Sequence, residues 1–162
     1  MTTRQVLIHE GGHYLSYKLF YKYLQPTIEV FPLFGGITRC SRLRLLSEWG
    51  EKLGRDQVRI AEIAAGSLAT TMIGLPTLTF GHYQGGQLGE YLQASVFLTA
   101  ISDATEALMV LFSEKSSNSD FSKLEHFGIH PMVSAATVFL IPLTLKSMLL
   151  LMDWLKKEEL TK

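Results

Sequence analysis

Apolar residues collect in four long stretches, and the charged residues gather between them. The first stretch runs from Arg4 to about Leu24, is rich in Val, Leu, Tyr and Phe, and is closed by Pro26; it predicts a helix. The second, Ile63 to Phe80, has 18 residues without a charge, a length that suits a membrane span better than a surface helix. It begins with a small-residue run, Ala64-Ala65-Gly66-Ser67-Leu68-Ala69, which permits close helix packing in lipid, and Pro76 is expected to kink or end it. The third, residues 91–112, is broken only by Asp103 and Glu106. The fourth, Met132 to Met152, carries Lys146 as its single charge and closes on Trp154 and Lys156-Lys157, a pattern of interfacial anchors.

The intervening segments read differently. Residues 27–40 alternate in a β pattern through Ile28, Val30 and Phe31, with Gly35-Gly36 expected as the turn of a hairpin and Pro32 marking an edge. An exposed edge of that kind can pair with an extended peptide. Residues 41–59 are polar and basic, a surface connection with room for a short helix. Residues 81–90 hold four glycines and are expected to form a loop. Residues 113–119 are too polar and Ser-rich to continue a helix.

These elements predict a mainly α fold: a polytopic membrane bundle of about four hydrophobic helices with a small β-hairpin after the first, forming a single domain over residues 1–162. Composition agrees. Hydrophobic residues make up 47% and charged residues 19%, against about a quarter charged in soluble domains. The expected setting is therefore an integral membrane protein whose partners include the lipid bilayer. Basic and acidic residues balance at 15 each, which gives no footprint for nucleic acid. Cys40 is the only cysteine, so an intramolecular disulfide and a thiolate metal cluster are both excluded.

Chemistry is concentrated in the first stretch, at His9-Glu10-Gly11-Gly12-His13. On a helix, residues four apart share a face, so His9 and His13 can bind one metal ion together. This H-E-x-x-H spacing is that of zinc peptidases, in which the Glu is the general base and the metal activates water. Glu10 is thus the expected catalytic residue. Two glycines inside one helix each cost about 0.5–1 kcal/mol relative to Ala. They point to close backbone approach, here expected from the hairpin.

A catalytic zinc needs a third protein ligand. Ser16 and Leu19 stand where an extended H-E-x-x-H-x-x-G-x-x-H motif needs Gly and His, so that class is excluded. Glu62, Asp103 and Asp120 are the carboxylate candidates, with His82, His126 and His130 as further imidazoles. Asp103 lies within an apolar segment, where a carboxylate is a functional candidate by default. Asp120 follows the extended Ser-rich stretch and precedes Phe121, Leu124 and Phe127, whose spacing predicts a short helix that would fix it.

The motifs together resemble the site-2 protease family of intramembrane zinc metalloproteases. The resemblance runs over roughly residues 4–130. It rests on His9–His13 in an apolar helix, on Pro32-Leu-Phe-Gly-Gly36, on Ala65-Gly66-Ser67-Leu68-Ala69 in a later helix, and on Asp120 after an extended segment. Ser67 replaces the family's usual Pro, and the Asn, Pro and Gly that usually surround its Asp are missing here. The resemblance implies a Zn2+ cofactor held by His9, His13 and Asp120, with Glu10 as base. It also implies an endopeptidase that unwinds a membrane-spanning or membrane-associated protein or peptide substrate and adds it to the hairpin edge. A non-proteolytic zinc-binding membrane scaffold of the same fold and a soluble gluzincin-type hydrolase are the alternatives.

Overall fold

A computed structural model describes residues 3–31, 35–40, 45–112 and 119–160. In chain order its elements are α1 (Thr3–Phe20), β1 (Tyr21–Lys22), β2 (Thr27–Phe31), β3 (Gly35–Arg39), β4 (Leu45–Leu46), α2 (Glu48–Leu53), α3 (Arg55–Gln84), α4 (Gly86–Met109), α5 (Asp120–His126) and α6 (Pro131–Leu160). Strands β2 and β3 pair antiparallel, with Ile28 opposite Thr38 and Val30 opposite Gly36. A second short ladder joins β1 to β4.

The fold is mainly helical with a hairpin after the first helix, as the sequence predicts. The number of spans is revised. Among the described residues two helices, α3 and α6, are long and apolar enough to cross a membrane by length and composition. The shortfall in the other two is chemical. Helix α1 packs His9, Glu10, His13 and Lys18 into 18 residues, and α4 carries Gln87, Glu90, Gln93, Asp103 and Glu106.

Two local expectations are also corrected, and a third, a kink or an end at Pro76, is narrowed. The stretch 81–90 is helix on both sides of Gly85, because only Gly85 and Gly86 take the positive φ (62° and 59°) that turns the chain. Gly81 and Gly89 instead let α3 and α4 touch: a Cβ on Gly89 would lie 2.4 Å from the Gly81 carbonyl oxygen. Pro76 does not end α3, which continues through it to Gln84; the loss of one backbone hydrogen bond is tolerated inside a long packed helix. Gly35 and Gly36 are not the hairpin turn but the first residues of β3, opposite Phe31 and Val30. Pro32 and the turn itself lie outside the described residues.

Helix directions position the site. His13 meets Glu62 and His9 meets Gly66, so α1 runs antiparallel to α3. Gly81 meets Gly89, Gly74 meets Val96 and Thr70 meets Asp103, so α4 is antiparallel to α3 as well. Helices α1 and α4 are therefore parallel. The end of α4 lies on the side towards which α1 runs, and Asp120 meets His9 and His13.

Candidate metal centre

Helix α1 is pressed onto α3 at Gly12, where a Cβ would lie 2.2 Å from the Ala65 carbonyl oxygen and 2.7 Å from the Ala69 Cβ. The bare face at Gly12 thus serves α3 and not the hairpin, which corrects the sequence expectation. Gly11 has open space around it. The hairpin reaches α1 through a glycine of its own: a Cβ on Gly36 would sit 2.6 Å from Glu10 Cγ and 2.7 Å from Val6 Cγ1. Small residues on three elements therefore bring α3, α1 and β3 to van der Waals contact around one turn of helix.

His9 and His13 project from that turn over Gly66. A Cβ there would lie 2.4 Å from His9 Nε2 and 2.7 Å from His13 Nε2, so only glycine leaves room for the imidazole pair. The third group arrives on α5. Phe121 and Leu124 are buried in a core cluster with Ile63 of α3, Ala107 of α4 and Ala135 of α6. That cluster anchors the short helix whose first residue is Asp120. Ser119, just before it, donates to Glu106 Oε1 at 2.8 Å and ties the approach to α4.

Three ligand atoms converge as a result. His9 Nε2 lies 3.2 Å from His13 Nε2, and Asp120 Oδ2 lies 3.3 Å from the first and 2.9 Å from the second. A tetrahedral ion with bonds of about 2.0–2.2 Å holds its ligand atoms roughly 3.3–3.6 Å apart. The triangle is slightly tighter than this and of the right kind. Proton placement agrees. The Glu62 carbonyl only accepts, so His13 Nδ1, 2.8 Å away, carries a proton, and Nε2 is the nitrogen turned towards Asp120 and His9. Burial alone would push Asp120 up, but hydrogen bonds with His13 and His9 and the charges of His13 and Lys123 hold its carboxyl well below the usual carboxylate range. Lys123 Nζ takes Asp120 Oδ1 at 3.0 Å, which leaves Oδ2 to face the imidazoles. The cluster His9, His13 and Asp120 can hold a metal ion; the donor set of two nitrogens and one carboxylate oxygen suits zinc among several divalent ions.

Glu10 is buried on the hairpin side of the same turn. The Thr38 hydroxyl lies 2.7 Å from Glu10 Oε2 and 3.0 Å from the Glu10 carbonyl oxygen, sharing one proton between them. Thus β3 holds the carboxylate that follows the first imidazole.

The remaining candidates fall elsewhere. Glu62 contributes its backbone carbonyl to His13, while its side chain meets Arg59 Nη1 at 2.8 Å. Asp103 is buried on α4, 3.5 Å from the Thr70 hydroxyl, outside the ligand triangle. His82 is at the other end of α3. His126 is exposed, and His130 Nδ1 accepts from the Met132 amide at 3.2 Å in the first turn of α6. The sequence reading did not single out Thr38 or Lys123, and it took Gly66 only as packing. Gly66 had a signal, because Glu62 and Gly66 are four apart and share the α3 face that receives α1. No protein-family model matches the chain, and no curated protein or solved structure is significantly similar to it.

Proposed function

We propose that this chain is a metal-dependent endopeptidase of the membrane, similar in plan to the site-2 proteases, with His9, His13 and Asp120 as metal ligands and Glu10 as general base. The observation that carries the reading is the convergence of three lone-pair atoms within 3.3 Å of one another, beside a carboxylate held in place by Thr38. A divalent metal, zinc by the donor set, supplies Lewis-acid polarisation of a peptide carbonyl and makes water acidic enough to ionise near neutral pH.

The chain's own residues do the rest. Thr38 fixes Glu10 Oε2 and leaves Oε1 to take a proton from the attacking water. Oε1 then gives that proton to the leaving amine. The Glu62 carbonyl keeps the His13 ring oriented, and Lys123 keeps Asp120 turned towards the imidazoles. The outer edge of the β2–β3 hairpin offers unpaired backbone groups to an extended substrate, which brings the scissile peptide next to α1.

The membrane setting is supported by the spans of α3 and α6 and by their outward side chains. Leu68, Met72, Ile73 and Phe80 on α3, and Leu140, Met148, Leu150, Leu151 and Trp154 on α6, are all exposed. Apolar surface of that extent suits lipid rather than water. A transmembrane peptide in this setting must unwind locally before it can add to the hairpin.

The test uses the full chain, purified in detergent and loaded with zinc, with a pool of transmembrane and unstructured peptides analysed by mass spectrometry. Cleavage by wild type, and none by Glu10→Gln with its metal retained, is the expected result. Full metal loading with equal peptide patterns in both proteins would reduce the chain to a metal-binding scaffold.

A further inference from the structure

The two imidazoles of the metal centre are not supported alike. His13 Nδ1 donates to the Glu62 carbonyl. His9 Nδ1 is buried and has no hydrogen-bond partner among the described residues. A metal-binding imidazole nearly always gives its second nitrogen's proton to a carboxylate, a carbonyl or a water, which fixes both tautomer and ring orientation. His9 is the exception in this site.

A second buried atom is in the same position. Asp103 is 3% exposed, and its Oδ1 meets no donor among the described residues, while Oδ2 lies 3.5 Å from the Thr70 hydroxyl. Register sets the two at the same level. Helices α1 and α4 are parallel, and the Gln5 side-chain amide donates to the Thr99 hydroxyl between them. One helical turn further on each helix, four residues in both cases, stand His9 and Asp103. Thr70, which touches Asp103, is one turn along α3 from Gly66, which touches His9. The two groups also interact electrostatically. A cavity of about 150 Å3 bounded by α1, α3, α4 and α6 reaches Asp103 on α4 and, on α1, Gln5 and Ile8, the residue before His9. A single water needs only roughly 10–15 Å3 of such space and two to four polar partners.

We propose that Asp103 is the positioning residue of His9, accepting its Nδ1 proton through one bridging water, as the Glu62 carbonyl accepts that of His13 directly. This inference rests on the metal-centre reading above and adds a residue from α4 to a site otherwise built on α1, α3 and α5. An unpaired donor and an unpaired acceptor, both buried, then satisfy each other at one stroke. The carboxylate charge makes His9 Nε2 a better ligand and holds the ring over Gly66. Asp103 touches neither metal nor substrate in this role.

The test compares wild type, Asp103→Asn, Asp103→Ala and Asp103→Glu as full chains in detergent. Zinc affinity is measured by competition with a chelating dye, and the histidine ring nitrogens are observed by 15N NMR. Asp103→Asn is nearly isosteric and keeps the fold in question to a minimum. It should lose roughly 10–100-fold in zinc affinity, with the His9 Nδ1 resonance shifted and that of His13 unmoved. Asp103→Ala should lose at least as much, and Asp103→Glu should recover part of the loss. Unchanged affinity and an unchanged His9 resonance in Asp103→Asn would overturn the assignment. A wild type that takes up no zinc would refute the metal centre and not this inference. The His9 Nδ1 resonance of the metal-free chain then decides it, a shift in Asp103→Asn supporting it and identity with wild type overturning it.

Discussion

Two histidine-centred polar clusters sit against α3, and their difference teaches what fits one of them to hold a metal ion. Gly66, beneath His9 and His13, and His82 are sixteen residues apart on α3, about 24 Å at ~1.5 Å per residue. At the His82 end, Lys146 Nζ lies 3.1 Å from His82 Nδ1 and 2.6 Å from Gln93 Oε1. Gln93 Nε2 donates to the carbonyls of Gly81 and Gly89 at 3.1 and 3.2 Å. His82 Nε2 lies 2.9 Å from Asp153 Oδ2, an ionic contact whose angle falls short of a good hydrogen bond. Lysine only donates, so His82 Nδ1 accepts and the ring proton faces Asp153. Donors alternate with acceptors along this chain, and a fixed cation already stands at its centre. It ties α3, α4 and α6 together. At the His9 end, two imidazole nitrogens and one carboxylate oxygen face one another within 3.3 Å, and a single cation can join all three.

The largest effect that sharpens this contrast is chemical. Glu10→Gln should lower turnover by about 10²–10⁴-fold or more while zinc content stays at one per chain, measured by elemental analysis beside the peptide assay. A variant that loses zinc as well would make Glu10 part of the metal's support and blur its role as base.

Gly66→Ala comes next. The added methyl displaces the His9 ring, so zinc affinity should fall roughly tenfold or more, in the range seen when ligand orientation is disturbed. Chelator competition on the purified variant checks this. Wild-type affinity would mean that the imidazoles do not rest on α3 as described.

Lys146→Met should do the opposite. It leaves His82 Nδ1 and Gln93 Oε1 buried without their donor, at a cost of about 1–3 kcal/mol, a few degrees of Tm for a chain of this size. Zinc affinity should be unchanged. A matching loss of zinc would show that the two clusters are coupled and end the comparison. The smallest effect belongs to Gly11→Ala, which adds a methyl in open space and should raise stability by about 0.5–1 kcal/mol, read as a slight rise in Tm in detergent.

What the sequence could carry depended on whether a feature is local. His9, Glu10 and His13 are legible because helical periodicity alone places two residues four apart on one face. Asp120 is legible because a Ser-rich break precedes it and Phe121 and Leu124 pin the helix it starts. Gly12, Gly66 and Gly89 could be read only as small. Their meaning lies in which helix they face, and that follows from the antiparallel register of α1 and α4 on α3. The same register sets Asp103 level with His9, which spacing along the chain cannot show. The loop expected at 81–90 failed for a related reason: glycine clusters mark close packing as readily as turns, and only Gly85 and Gly86 take up positive φ.

X-ray absorption of the zinc-loaded full chain in detergent tests the central claim most directly. One zinc per chain is predicted, with two imidazole nitrogens and carboxylate or water oxygen at about 2.0–2.2 Å. One imidazole should be missing from the spectrum of His9→Ala, and zinc should be lost or bound much more weakly in Asp120→Ala. Zinc bound without imidazole, or wild-type loading and spectra in both variants, would contradict the account.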